Sequence, residues 1–186
     1  EYGGDIHNRS RIHVQILRAV RAAVGPDFPV LIKLNGSDYA HNGLSIEEAA
    51  AVGKKLAENG LDAVELSGGL LTGGALSPCR SGITGPEKEA YFAADAKLFR
   101  ESVRLPLILV GGIRSPETAE RLFTEGTADY ISLCRPFIRE PDLVKRWKSG
   151  DLRASACKSD NLCFRPGMKG EGVHCVHRHR EKASDI

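Results

Sequence analysis

Apolar positions along the chain alternate between two periods, and the alternation repeats four times. Ile12, Ile16, Leu17, Val20 and Val24 recur at helical spacing and predict an amphipathic helix over residues 7–24, stopped by Gly25-Pro26. Residues 30–34 (Val-Leu-Ile-Lys-Leu) then read as a short buried strand. Ser45 followed by Glu48 has the spacing of a capping box, predicting a helix to Asn59 with Gly60 as its terminator. Leu61 to Ser67 is the second strand, and a glycine-rich stretch over residues 68–85 leads to a helix from Pro86 to about Val103. Pro106 to Val110 is the third strand. Ser115-Pro116 caps the next helix, Gly126 closes it, and Ala128 to Leu133 is the fourth strand. Each strand is a continuous aliphatic or β-branched run, which predicts a parallel sheet covered on both faces. A doubly wound sheet and a barrel both satisfy this pattern.

Composition narrows the classes. Hydrophobic residues make up 41% and charged residues 27%, a globular balance that excludes disordered and membrane classes. The longest apolar run, residues 105–110, is far too short to cross a bilayer, and no secretory signal is visible at the start. A net charge of +2 argues against nucleic acid as the main partner. The late basic run (His177, Arg178, His179, Arg180, Lys182) reads as a solvated tail. Five cysteines, an odd number, make a poor disulfide framework and suggest reduced thiols in a cytoplasmic protein. The 186 residues suffice for one domain but fall short of the ~250 that a complete (β/α)8 barrel needs. The chain starts at Glu1 without methionine, as expected of a segment of something longer.

Candidate chemistry sits at two neighbouring strand ends. One strand ends in Gly111-Gly112, just ahead of a helix, where glycines let backbone amides approach an oxyanion. The next ends in Cys134-Arg135-Pro136, and an arginine fork matches phosphate geometry. Together they predict a phosphate cradle, as formed after strands 7 and 8 of (β/α)8 barrels. Lys33, inside a strand with aliphatic neighbours, needs a partner, and Glu65 on the next strand is one candidate.

These residues carry a resemblance. Residues 1–4 (Glu-Tyr-Gly-Gly) with Asn8-Arg9-Ser10-Arg11, then Lys33, Gly111-Gly112-Ile113-Arg114, Arg135-Pro136 and the Glu140-Pro141-Asp142-Leu143 run resemble, in order, segments of the old yellow enzyme family, the NADH:flavin oxidoreductases. The resemblance implies a TIM (β/α)8-barrel type of α/β fold. Only its last four β/α units, strands 5–8, would be present, in residues 1–150, followed by a Cys/His-containing tail over 151–186. It implies FMN as cofactor and NAD(P)H as reductant. Gly111, Gly112, Cys134 and Arg135 would hold the phosphate, and Lys33 would stabilise the reduced isoalloxazine at its N1/O2 edge. Hydride would pass through FMN to an electron-poor alkene or another small-molecule acceptor. The family's substrate-binding histidine pair and proton donor lie before the segment that opens this chain. Catalytic residues are therefore expected upstream of residue 1, and this chain alone is expected to be inactive. Cys134 also stands where the family usually has glycine. The missing half implies association, with a second copy or with the absent half-barrel.

Cys157, Cys163 and Cys175 resemble the iron–sulfur segment of the dienoyl-CoA reductase and trimethylamine dehydrogenase branch, but Asp160 stands at the second cysteine position. Three thiols and a misplaced carboxylate predict no cluster; zinc through these cysteines with His174 or His177 is a further option, and a metal-free tail is the expectation. Two alternatives remain: another phosphate-binding barrel enzyme, isomerase or aldolase, or a non-catalytic half-barrel that associates.

Overall fold

The computed structural model describes residues 1–184, with side-chain surroundings through Glu181, so the Lys182 side chain of the basic run lies outside the described residues. The elements in order are α1 (Ile6–Arg9), α2 (Arg11–Val24), β1 (Leu31–Asn35), α3 (Ile46–Ala57), β2 (Ala63–Ser67), α4 (Ala93–Ser102), β3 (Leu107–Leu109), α5 (Pro116–Thr124) and β4 (Tyr130–Ile131). Four shorter helices follow: α6 (Arg135–Arg139), α7 (Leu143–Lys148), α8 (Phe164–Met168) and α9 (Val176–Ser184).

The four strands are all parallel and lie in the order β1-β2-β3-β4. Because parallel crossovers are right-handed, a sheet that never reverses its strand order receives all its crossover helices on one face. Burial follows this rule. Leu34, Leu66 and Leu109 share one row across the sheet and are at most 8% exposed. They pack against Leu56 of α3, Phe99 of α4 and Leu122 of α5 within one hydrophobic core. The alternate row runs from Lys33 through Glu65 and Ile108 to Tyr130, which is 62% exposed; Leu31, on the same face, is 50% exposed. The expectation of a sheet covered on both faces is therefore corrected. Apolar strands were read as two-sided, whereas here helices cover only one side. A sheet of this order and one-sided cover is barrel-like rather than doubly wound.

Local signals held where capping chemistry was explicit. The Ser45 hydroxyl accepts the Glu48 amide at 3.3 Å while Glu48 accepts the Ser45 amide at 3.4 Å, completing the box. Ser115 accepts the Thr118 amide at 3.3 Å with Pro116 next to it, and Gly126 takes a left-handed φ of 66° past the helix end. Elsewhere the boundaries move. The helix foreseen over 7–24 is two, Ile6–Arg9 and Arg11–Val24, joined at Ser10; Asp5 caps the start of the first through the Asn8 amide at 2.9 Å. The helix foreseen from Pro86 is only a 3-10 turn (Pro86–Lys88). Ala90 then adopts φ 53°, which no continuing helix allows, and α4 begins at Ala93.

Candidate functional site

The C-terminal ends of the four strands open into one cleft of about 230 Å³. Lys33, Gly112, Cys134 and Arg135 line it, so the fold gathers four of the five residues singled out in the sequence. The fifth, Gly111, sits beside it with its carbonyl accepting the Tyr91 amide at 3.1 Å. Arg114, Tyr91, Cys79 and Ser159 join the lining without having been foreseen as site residues.

The glycine turn after β3 is built tightly. Gly111 and Gly112 adopt φ of 129° and 72°, which side-chain-bearing residues rarely take. Behind them the buried Glu89 carboxylate accepts the Arg114 amide at 2.9 Å, the Ser115 amide at 3.1 Å and the Ser115 hydroxyl at 2.9 Å. One carboxylate thus fixes the turn and the start of α5 together. The amides of Gly111, Gly112, Cys134 and Arg135 donate to no protein acceptor among the described residues. Free amides at two neighbouring strand ends are suited to an anion.

Two arginines supply the charge. Arg135 is only 7% exposed; its Nη1 donates to the Arg80 carbonyl at 2.8 Å and to Asn161 Oδ1 at 2.7 Å. Arg114 donates from Nη1 to the Ile83 carbonyl and from Nη2 to the Ser155 carbonyl. Neither arginine is in an ion pair among the described residues. Partial burial first, and the nearby Cys79 thiol next, push the Cys134 thiol above its ordinary value. It stays neutral at pH 7 and cancels none of the arginine charge. Lys33 behaves differently. The β1–β2 register sets it directly beside Glu65, and the two side chains pair.

The tail completes the site. Ser155 donates its amide to the Arg114 carbonyl at 2.7 Å, the Gly82 amide donates to the Ser159 carbonyl at 3.0 Å, and Asn161 Nδ2 donates to the Cys79 carbonyl at 2.7 Å. Asp160 pairs with His177 at 2.6 Å. Among the described residues no group of three or more His, Cys, Asp or Glu side chains is placed to hold a metal ion. No helix among them is long and apolar enough to cross a membrane.

Glu140 anchors this tail, accepting the Ser155 hydroxyl at 2.8 Å, the Ala156 amide at 2.7 Å and Arg146 at 3.1 Å. Burial, the largest influence, raises its pKa, but those bonds outweigh it and hold the carboxyl below its ordinary value. A depressed folded value means the anchoring is complete above the ordinary glutamate range and is lost as pH falls through the depressed one. Exchange protection of the Ala156 amide, corrected for intrinsic rates, should therefore hold through the ordinary glutamate range and fall only at pH below it. Glu140→Gln should abolish that dependence. Protection that is flat with pH in the unmodified chain would show that Glu140 does not hold the tail.

Comparison with known proteins adds the lineage. The model of the NADH:flavin oxidoreductase / NADH oxidase family matches residues 1–153. Among curated proteins, the chain is 30% identical over 152 residues to an NADH oxidase of Thermoanaerobacter brockii, covering 81% of this chain and 22% of that one. It is 33% identical over 203 residues to an NADH-dependent flavin oxidoreductase of Talaromyces variabilis, covering 98% and 46%. Among solved structures, a 2-naphthoyl-CoA reductase superposes with a TM-score of 0.80 at 24% identity, over 95% of this chain and 26% of that one. An old yellow enzyme homologue from Zymomonas mobilis superposes with a TM-score of 0.61 at 20% identity, over 96% and 44%. Both likenesses are of fold. The chain spans 22–50% of the length of the first curated relatives it matches.

Proposed function

Because the chain belongs to the NADH:flavin oxidoreductase / NADH oxidase family, a family of enzymes, we propose that it is the phosphate-binding half of an FMN-dependent oxidoreductase barrel. In this reading β1 to β4 correspond to strands 5–8 of a (β/α)8 barrel, and the reductant is NAD(P)H. The acceptor is a small electron-poor molecule such as the alkene of an α,β-unsaturated carbonyl compound. The observation that carries the reading is the cleft itself: Gly112, Cys134 and Arg135, whose amides donate to no protein acceptor, and Arg114 and Arg135, outside any ion pair among the described residues, line it together at the ends of β3 and β4, the place a barrel uses for phosphate.

The residues present fit the phosphate end of FMN. A cleft of about 230 Å³ falls below the ~300–1,000 Å³ usual for whole ligands, so it suits that end and not the entire cofactor. The amides of Gly111, Gly112, Cys134 and Arg135 would donate to phosphate oxygens. The guanidinium of Arg135 would add a charge-assisted bond from Nε or Nη2, which the Arg80 and Asn161 bonds leave unused. Lys33 would exchange Glu65 for the flavin's pyrimidine edge and hold positive charge there. Bound FMN supplies the centre that accepts and donates hydride. The residues of this chain bind and orient it, and those that anchor substrate and move protons would come from outside residues 1–186. Family membership gives no support to an isomerase or aldolase reading.

FMN should bind more tightly than riboflavin, which lacks the phosphate. Arg135→Ala should cost FMN roughly 1.5–3 kcal/mol and leave riboflavin almost unchanged. Flavin fluorescence quenching measures both affinities, and equal binding of the two ligands by the unmodified chain would sink the assignment.

A further inference from the structure

A buried arginine ordinarily sits against a carboxylate, since a lone charge out of water is costly. Arg135 does not. Its Nη1 is gripped by two neutral oxygens, the Arg80 carbonyl at 2.8 Å and the Asn161 side-chain amide at 2.7 Å. Both anchors are themselves fixed. The Arg80 side chain lies over three aromatic rings, 4.6 Å from the Tyr91 centroid, 5.2 Å from Tyr39 and 5.4 Å from Phe92. Asn161 donates Nδ2 to the Cys79 carbonyl at 2.7 Å, so one amide group ties the tail, the loop after β2 and the arginine after β4 together. Its φ of 62° is a left-handed conformation that asparagine tolerates better than most residues. The carboxylate next door, Asp160, is taken up by His177 at 2.6 Å and by the Leu162 amide at 3.1 Å.

We propose that Asn161 is a positioning residue for cofactor phosphate: its neutral amide aims the Arg135 guanidinium without neutralising it, so that the charge is left for the ligand. A carboxylate at this position would satisfy Arg135 internally and repel a phosphate. An apolar residue would leave Nη1 one acceptor short and the guanidinium free to swing. The inference rests on the phosphate reading above, and it gives the tail, outside the two strand-end motifs, a part in cofactor selectivity.

Fluorescence titrations of the full chain with FMN and with riboflavin test it. Asn161→Gly removes the side chain while permitting the left-handed backbone; FMN should weaken roughly tenfold, the size of a disturbed charge-assisted bond, with riboflavin constant to within about twofold. Asn161→Asp matches the shape and keeps an acceptor but adds charge, and it too should lose the preference for FMN. In the double variant with Arg135→Ala, Asn161→Gly should cost nothing further, because it acts through that guanidinium. An unchanged FMN-to-riboflavin ratio in either single variant overturns the proposal. So does parallel weakening of both ligands, or additive losses in the double variant. Equal affinities in the unmodified chain would instead overturn the phosphate reading, and this inference with it.

Discussion

Gly112→Ala should destabilise the chain by about 2–5 kcal/mol, combining left-handed backbone strain of roughly 1–2 kcal/mol with overpacking of about 1–3 kcal/mol. Gly112 has φ 72°, and a Cβ there would lie 2.6 Å and 2.9 Å from two carbons of the Tyr91 ring. That ring has little room to retreat. Its hydroxyl donates to the Pro78 carbonyl at 2.8 Å, and its edge packs on Phe92 with centroids 4.7 Å apart. Against a typical domain stability of about 5–15 kcal/mol, such a loss is large. Gly126→Ala is the control, since its φ of 66° carries the same backbone strain while nothing lies within 4 Å of the added carbon. Denaturant midpoints should separate the two variants by the overpacking term. Equal costs would mean that the turn is not packed as described. FMN binding should fall with Gly112→Ala as well, because the proposed phosphate cradle uses the displaced amide.

The contrast between those two glycines shows what sequence reasoning reaches. A glycine after a strand announces a turn, and Gly112 and Arg135, singled out at neighbouring strand ends, line one cleft in the fold. Caps were legible for the same reason: Ser45 with Glu48, and Ser115 with Pro116, act within four residues. What the tail does was not legible. Asn161 bonds residues 26 and 82 positions away, and no local pattern encodes those separations. Its three cysteines drew attention to metals, while the residue that holds the cleft's Arg135 was an unremarked asparagine. The apolar stripe of α2 misled in another way. Periodicity grouped Ile12, Ile16, Leu17, Val20 and Val24 as the apolar stripe of an amphipathic helix, yet Val14 and Leu17 are buried while Ile12 and Ile16 are 42% and 56% exposed. Spacing marks which residues want a partner; it does not say whether residues 1–184 contain one.

That unsatisfied stripe leads to the second large effect: the isolated chain should not be a monomer. Four parallel strands in sequence order leave β1 and β4 as free edges, each offering backbone donors and acceptors for another strand. The face away from the helices presents Leu31 and Tyr130, 50% and 62% exposed, around the Lys33–Glu65 pair. Ahead of β1 in the chain, α2 exposes Ile12, Ile16 and Val20 at four-residue intervals, and Phe28 follows at 60% exposure. Large apolar side chains left exposed together with open strand edges are characteristic of an interface. When only this chain is in solution, a second copy is the available cover. Pairing the β1 edge of each copy with the β4 edge of the other makes a two-fold arrangement of eight strands that closes both edges at once. Sedimentation velocity should show a concentration-dependent species heavier than the monomer, and Ile16→Lys, which puts charge in the middle of the stripe, should shift it towards monomer. A monodisperse monomer with a cooperative melt at all concentrations would mean that the exposed row and the α2 stripe are stable in water as they stand, and the barrel-closing interpretation of both would fall.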